Sequence, residues 1–215
     1  MKLSTIAIFL LISLYNSSGQ NSNITFQRYN ITNVGYIDIP STMELQVGEY
    51  KKSQEKFLEK SGFTISNNRG VFQQKGLNNH EEAANKLYAR VIIETFTGNY
   101  GDFKKITKDR VYTSHDILLL DNDFKLQTKQ SFINTQNKII SWYGTSAITV
   151  NGVSGIKISY LRQLGDMPPV IVNNYKFENN NLLHSITMSY RAEEKKIWES
   201  VYLKIIDSFT ITNIK

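Results

Sequence analysis

The sequence predicts an α+β fold: an antiparallel sheet with a helix packed on one face. Three observations carry that prediction. Residues 156–163, 169–178 and 182–190 are three strand-like runs in a row, the pattern of a meander. Residues 193–208 follow as one amphipathic helix, in which Trp198, Val201, Tyr202, Ile205 and the next residue on the stripe, Phe209, recur at three- and four-residue steps. Residues 87–97 are the best central-strand candidate of the first half. They place Ala89, Val91, Ile93 and Thr95 on one face and Tyr88, Arg90, Ile92, Glu94 and Phe96 on the other.

The N-terminal residues 1–19 have the pattern of a signal peptide. Lys2 supplies a positive start, residues 6–15 an apolar core, and Ser17-Ser18-Gly19 small residues for cleavage before Gln20. That apolar run is too short to cross about 30 Å of hydrocarbon, and no Cys near the cleavage point invites a lipid anchor. An exported chain, periplasmic or extracellular, is the expectation. Residues 20–34 are polar and rich in Asn and Thr, which reads as a flexible lead-in. Residues 35–215 show no linker, composition break or repeat, and are expected to form a single domain.

Within that domain, residues 35–40 alternate and stop at Pro40, a first strand. Met43, Leu45 and Val47 suggest a second, short one. Residues 49–60 read as a helix with Tyr50, Phe57 and Leu58 on a shared face. Residues 62–65 and 70–74 flank a polar turn at 66–69, a hairpin candidate, and residues 81–87 suggest a short helix. After a turn at 99–102, residues 114–133 read as a helix with Ser114 as N-cap, Asp116 in the first turn, and Ile117, Leu120 and Phe124 on one stripe. Residues 138–143 and 146–150 flank a Gly-Thr turn, and Asn151-Gly152 is a second turn. The terminal stripe is best explained as core, since an isolated helix of that length is marginal in water.

The formal charge is +6, from 25 Lys and Arg against 19 Asp and Glu. The excess is modest and spread along the chain, densest at Lys104, Lys105, Lys108 and Arg110. It reads first as ordinary solubilising charge, and otherwise suits acidic surface polymers or anionic lipid head groups better than nucleic acid, for which no recognition motif is present. With no Cys there is no disulfide and no thiolate chemistry. His80, His115 and His184 lie in different segments without metal-ligand spacing, so no metal is expected. Asp121-Asn122-Asp123 begins like a calcium loop, but Leu126 stands where that loop needs Gly. Nucleophile elbows, dinucleotide fingerprints and phosphate loops are absent from the sequence, so no catalytic or cofactor-binding residue is assigned.

Two groups remain as candidates for a contact surface. Arg90 and Glu94 share one face of a central strand with Tyr88, either as a partly buried ion pair or as part of a groove. Trp142, Tyr160, Arg162 and Tyr175 fall on three strands expected to be neighbours, with Tyr143 beside them. Aromatics with Arg are frequent where proteins meet ligands, and also on sheet faces beneath a helix. His184 is expected to be a half-buried strand residue.

Residues 37–40 (Ile-Asp-Ile-Pro), the segment Val71-Phe72-Gln73-Gln74 and the run from Gly155 resemble the PsbP-like superfamily. Tyr175-Lys176-Phe177, Ser185-Ile186-Thr187 and the stretch from Trp198 to Phe209 carry the resemblance furthest. It implies a central antiparallel sheet of about six or seven strands with helices on both faces, a three-layer sandwich, and an adaptor or binding role, and it transfers no functional residue. The leading expectation is an exported, non-catalytic binding or accessory protein of the bacterial envelope, monomeric, acting on a protein or envelope polymer. A small envelope hydrolase and a carrier for a lipid or other apolar ligand are the alternatives.

Overall fold

The computed structural model describes residues 24–60, 69–106 and 110–215. Segments 1–19 and 62–68, on which the signal peptide and most of the hairpin candidate fall, lie outside the described residues, as does Lys108. A seven-stranded, wholly antiparallel sheet forms the centre. It is built from β3 (Met43–Leu45), β4 (Arg69–Gln74), β5 (Ala89–Thr97), β6 (Asn137–Val150), β7 (Val153–Leu164), β8 (Val170–Asn179) and β9 (Leu182–Arg191). Their order across the sheet is β3-β4-β5-β9-β8-β7-β6. The hairpin between β6 and β7 turns on Asn151 and Gly152, both at positive φ (47° and 77°), the turn geometry that matches strand twist.

One face of this sheet carries the main core. Ala89, Val91, Ile93, Tyr175, Phe177, Ile186, Met188 and Tyr190 lie there against α3 (Lys195–Ser208), from which Trp198, Val201, Tyr202, Ile205 and Ile206 are buried. The stripe read from the sequence is therefore core. Burial of about five such side chains contributes on the order of 10 kcal/mol before conformational entropy is set against it. The Tyr202 hydroxyl reaches the carbonyls of Arg90 and Ser189, each at 3.0 Å, and so ties the helix to the β5–β9 pair. A three-residue 3₁₀ turn, Ala192–Glu194, leads into α3. Its Glu194 is buried, and the carboxylate accepts from the Tyr88 backbone N–H at 3.1 Å, from Trp198 Nε1–H at 3.0 Å and from Arg191 at 3.4 Å.

The same core extends to a second, three-stranded sheet, ordered β1-β2-β10, of β1 (Phe26–Ile31), β2 (Gly35–Pro40) and β10 (Thr210–Ile211). One expectation changes here. Residues 26–31 are not part of a flexible lead-in: all six pair with β2, and Phe26, Tyr29 and Ile31 pack on the core, with the Tyr29 ring edge-on to Phe72 at 4.9 Å. The apolar residues are spaced by polar ones, so the strand hides in a polar composition. β10 runs along β2 here, and Gly35 admits the Thr210 carbonyl where a Cβ would lie 1.9 Å from its oxygen.

The other face of the central sheet is covered at its two ends. Toward β4 lies α1 (Gly48–Lys60), whose Tyr50 is buried with Leu77 and Ala84 of two short 3₁₀ turns. Toward β6 lies α2 (Ser114–Phe132), capped by Thr113, not Ser114; Thr113 and Asp116 exchange hydrogen bonds in a capping box. The α2 stripe Ile117, Leu120 and Phe124 is only half-buried. The two strands expected around a Gly-Thr turn are one 14-residue strand, β6. Its register slips at Ile139/Ser141 and at Trp142/Gly144, so Gly144, at φ 106°, bends the strand instead of reversing it.

Candidate functional site

Between α1 and α2 the sheet face is left as a groove of about 410 Å³. Its floor is set by strand parity and register. Arg90 of β5 stands opposite Ser189 of β9, Ser189 opposite Val172 of β8, and Val172 opposite Tyr160 of β7. That line of four residues spans about 14 Å at the usual strand spacing. Arg162 lies two residues beyond Tyr160 on the same face. Gln54, Phe57 and Leu58 of α1 form one wall, and Phe132 of α2 the other.

Five of the residues expected at a contact surface meet here: Tyr88, Arg90, Glu94, Tyr160 and Arg162 all line the groove. Trp142 stands behind it. Its ring stacks on Tyr160 at 5.6 Å with planes 10° apart, and its Nε1–H donates to Asp121 of α2 at 2.8 Å, which fixes Tyr160 from below. Tyr175 does not join them. It stands opposite Lys157 in register, one step out of phase with Tyr160, so its side chain falls in the α3 core at 5% exposure. Burial pushes its phenol up to about 12, with Tyr190 and Asp207 adding to the rise.

Arg90 and Glu94 do not pair with one another. Four residues apart on one strand, they are separated by about 13 Å, whereas cross-strand neighbours approach to about 5 Å. Glu94 instead meets Arg69, its register partner on β4, at 3.6 Å. Arg90 donates from Nη1 to Gln74 Oε1 and to the Ala89 carbonyl, both at 2.9 Å. Arg162 donates from Nη1 to Asn137 Oδ1 at 2.8 Å. Tyr88 sits in the field of both guanidiniums, with Arg90 over its ring at 5.0 Å. Burial pushes that phenol up, but the positive charges of Arg162 and Arg90 are the main effects that outweigh it, leaving it below the ordinary tyrosine value. Tyr160 shows the opposite balance, raised by burial against the pull of Arg162.

Asn137, Thr187, Ser189, Phe57 and Phe132 line the groove without standing among the contact candidates of the sequence, which offers Phe57 only as part of a helix face. Thr187 and Ser189 do carry a signal, being the polar half of the β9 alternation with buried Ile186 and Met188. His184 lies away from the groove on the core face, fully buried. Its ring contacts Thr95 Oγ1 at 3.1 Å and Asn179 Nδ2 at 3.3 Å, and burial lowers its pKa to about 4. Among the described residues no group of three or more His, Cys, Asp and Glu could hold a metal ion. A wider hollow of about 830 Å³ opens beyond the Arg69–Glu94 pair, walled by turn residues such as Asn33 and Asn181 and by Lys215 at the chain end.

The chain is similar to several solved structures. The solution structure of cyanobacterial PsbP (CyanoP) from Synechocystis sp. PCC 6803 is 15% identical, with 92% of this chain and 98% of that one covered and a TM-score of 0.48. The Ran-binding protein Mog1p of Saccharomyces cerevisiae is 8% identical, with 88% and 97% covered and a TM-score of 0.45. PA94 from Pseudomonas aeruginosa, a protein of unknown function described as a putative regulator, is 8% identical, with 86% and 96% covered and a TM-score of 0.40. At these identities and TM-scores the likeness assigns no role to any residue of this chain. No family model and no curated protein matches the sequence.

Proposed function

We propose that this chain is an exported, non-catalytic binding or accessory protein of the bacterial envelope, and that its contact site is the groove between α1 and α2. One observation carries the reading. The groove joins aromatic and apolar walls to a floor of half-buried arginines and hydroxyls, the mixture of a few polar groups in an apolar cleft that ligand sites present. The carrier alternative calls for a closed apolar cavity beneath the terminal helix. The residues there, Trp198, Val201, Tyr202 and Ile205, are instead packed to 5% exposure or less. Among the described residues no helix is long and apolar enough to cross a membrane, which is compatible with export.

Amide-shift mapping of the labelled chain against fractionated envelope extract tests the site. Shifts are expected at Tyr88, Arg90, Tyr160 and Ser189. Shifts confined to α3 or to the small sheet, or chemical turnover of the bound component, contradict the reading. The export step is checked separately by the mass of the secreted chain, expected to begin near Gln20; an intact N-terminus contradicts it.

A further inference from the structure

Arg90 and Arg162 stand on the groove face without a carboxylate. The one carboxylate in the described lining, Glu94, is met by Arg69 and lies within the field of Lys176. Every acidic residue of the chain except Asp109 falls in the described segments, and among the described residues neither Arg90 nor Arg162 forms an ion pair. Each guanidinium has five N–H donors. Arg90 uses Nη1 on Gln74 and on a backbone carbonyl; Arg162 uses Nη1 on Asn137. Two partly desolvated like charges around one phenol repel, and apolar side chains such as the adjacent Ile92 and Val172 would hold the sheet at lower cost.

We propose that the Arg90–Arg162 end of the groove holds an oxyanion, the carboxylate or phosphate end of a small molecule whose flat or apolar body lies on Tyr160 between Phe57 and Phe132. The proposal rests on the groove being the contact site. Guanidiniums present paired donors that match the two oxygens of either group. A space of about 410 Å³ suits a small molecule rather than a bare ion. The Tyr88 phenol already reports the local field, since the arginines lower it in spite of its burial. An anionic oxygen placed beside it meets the same field.

Calorimetric titration and amide-shift mapping of the full chain with benzoate, phenyl phosphate, inorganic phosphate and neutral benzamide test this. Benzoate or phenyl phosphate is expected to shift Tyr88, Arg90, Tyr160 and Ser189, and the stronger of the two assigns the oxyanion. Arg162→Gln and Arg90→Gln are each expected to weaken binding about tenfold or more, while Lys157→Gln, on the opposite face, leaves it unchanged. Should Arg162→Gln fail to fold, Arg162→Lys reads the same point: weaker binding supports the two-pronged contact, and unchanged binding overturns it. Benzamide binding the groove as well as benzoate overturns the oxyanion assignment and leaves the groove standing as a contact site. Inorganic phosphate binding as tightly as phenyl phosphate overturns the role given to the aromatic walls. Silence from all four probes overturns the proposal, and the extract titration then decides separately whether the groove is a contact site.

Discussion

Glu194 joins the core helix to the strand that carries half of the groove, and its removal gives a stability change that can be worked from the structure. Its carboxylate is 6% exposed and accepts from the Tyr88 backbone N–H, the Trp198 indole N–H and Arg191. Glu194→Ala leaves two buried donors without acceptors, at about 1–3 kcal/mol each, and takes the counter-charge from half-buried Arg191. A loss of about 4 kcal/mol follows, a fall of about 10 °C in Tm for a chain of this size. Glu194→Gln keeps one accepting oxygen and loses the charge-assisted part, so about 1–2 kcal/mol is expected. Denaturant unfolding of both variants, alone and combined with Trp198→Phe, reads the result. In the Trp198→Phe background the Glu194→Gln loss shrinks, because the indole donor is already gone. A Glu194→Ala variant within about 0.5 kcal/mol of the parent refutes the anchoring role.

His184 makes stability depend on pH. Its pKa is lowered to about 4 in the fold from an ordinary 6.5, because the buried ring resists protonation. The contribution is therefore complete above 6.5 and lost as pH falls from about 6.5 to about 4, amounting to about 3 kcal/mol. His184→Gln is expected to flatten this part of the stability profile; an unchanged profile contradicts it. Gly35→Ala brings a Cβ against the Thr210 carbonyl and opens the edge where the Thr212 N–H meets the Val34 carbonyl at 2.9 Å. Faster hydrogen exchange at Thr212 and Asn213 is expected, and protection equal to the parent's contradicts the close approach.

The scaffold was legible where one periodicity decides. Trp198, Val201, Tyr202 and Ile205 mark a core helix by spacing alone, and the two faces of β5 separate by alternation, so Tyr88, Arg90 and Glu94 were placed on the face that forms the groove. What depends on pairing was not legible. Arg90 and Arg162 share a groove because β9 and β8 lie between β5 and β7, an order that neither strand contains. Glu94 finds Arg69 through the β4–β5 register, and that of β7 with β8 sends Tyr160 to the groove and Tyr175 to the core. β1 is not legible because its core residues, Phe26, Tyr29 and Ile31, are scattered among polar ones, and its stability comes from β2 and the core rather than from its own composition.

The central claim is that the groove arginines serve binding and not the fold. Thermal unfolding of the Arg90→Gln/Arg162→Gln double variant, read beside its binding of the envelope component, tests it most directly. With no carboxylate to lose and mutual repulsion relieved, the variant is predicted to keep its Tm within a few degrees of the parent, or to exceed it, while binding is lost. A Tm lowered by about 10 °C with binding intact contradicts the account.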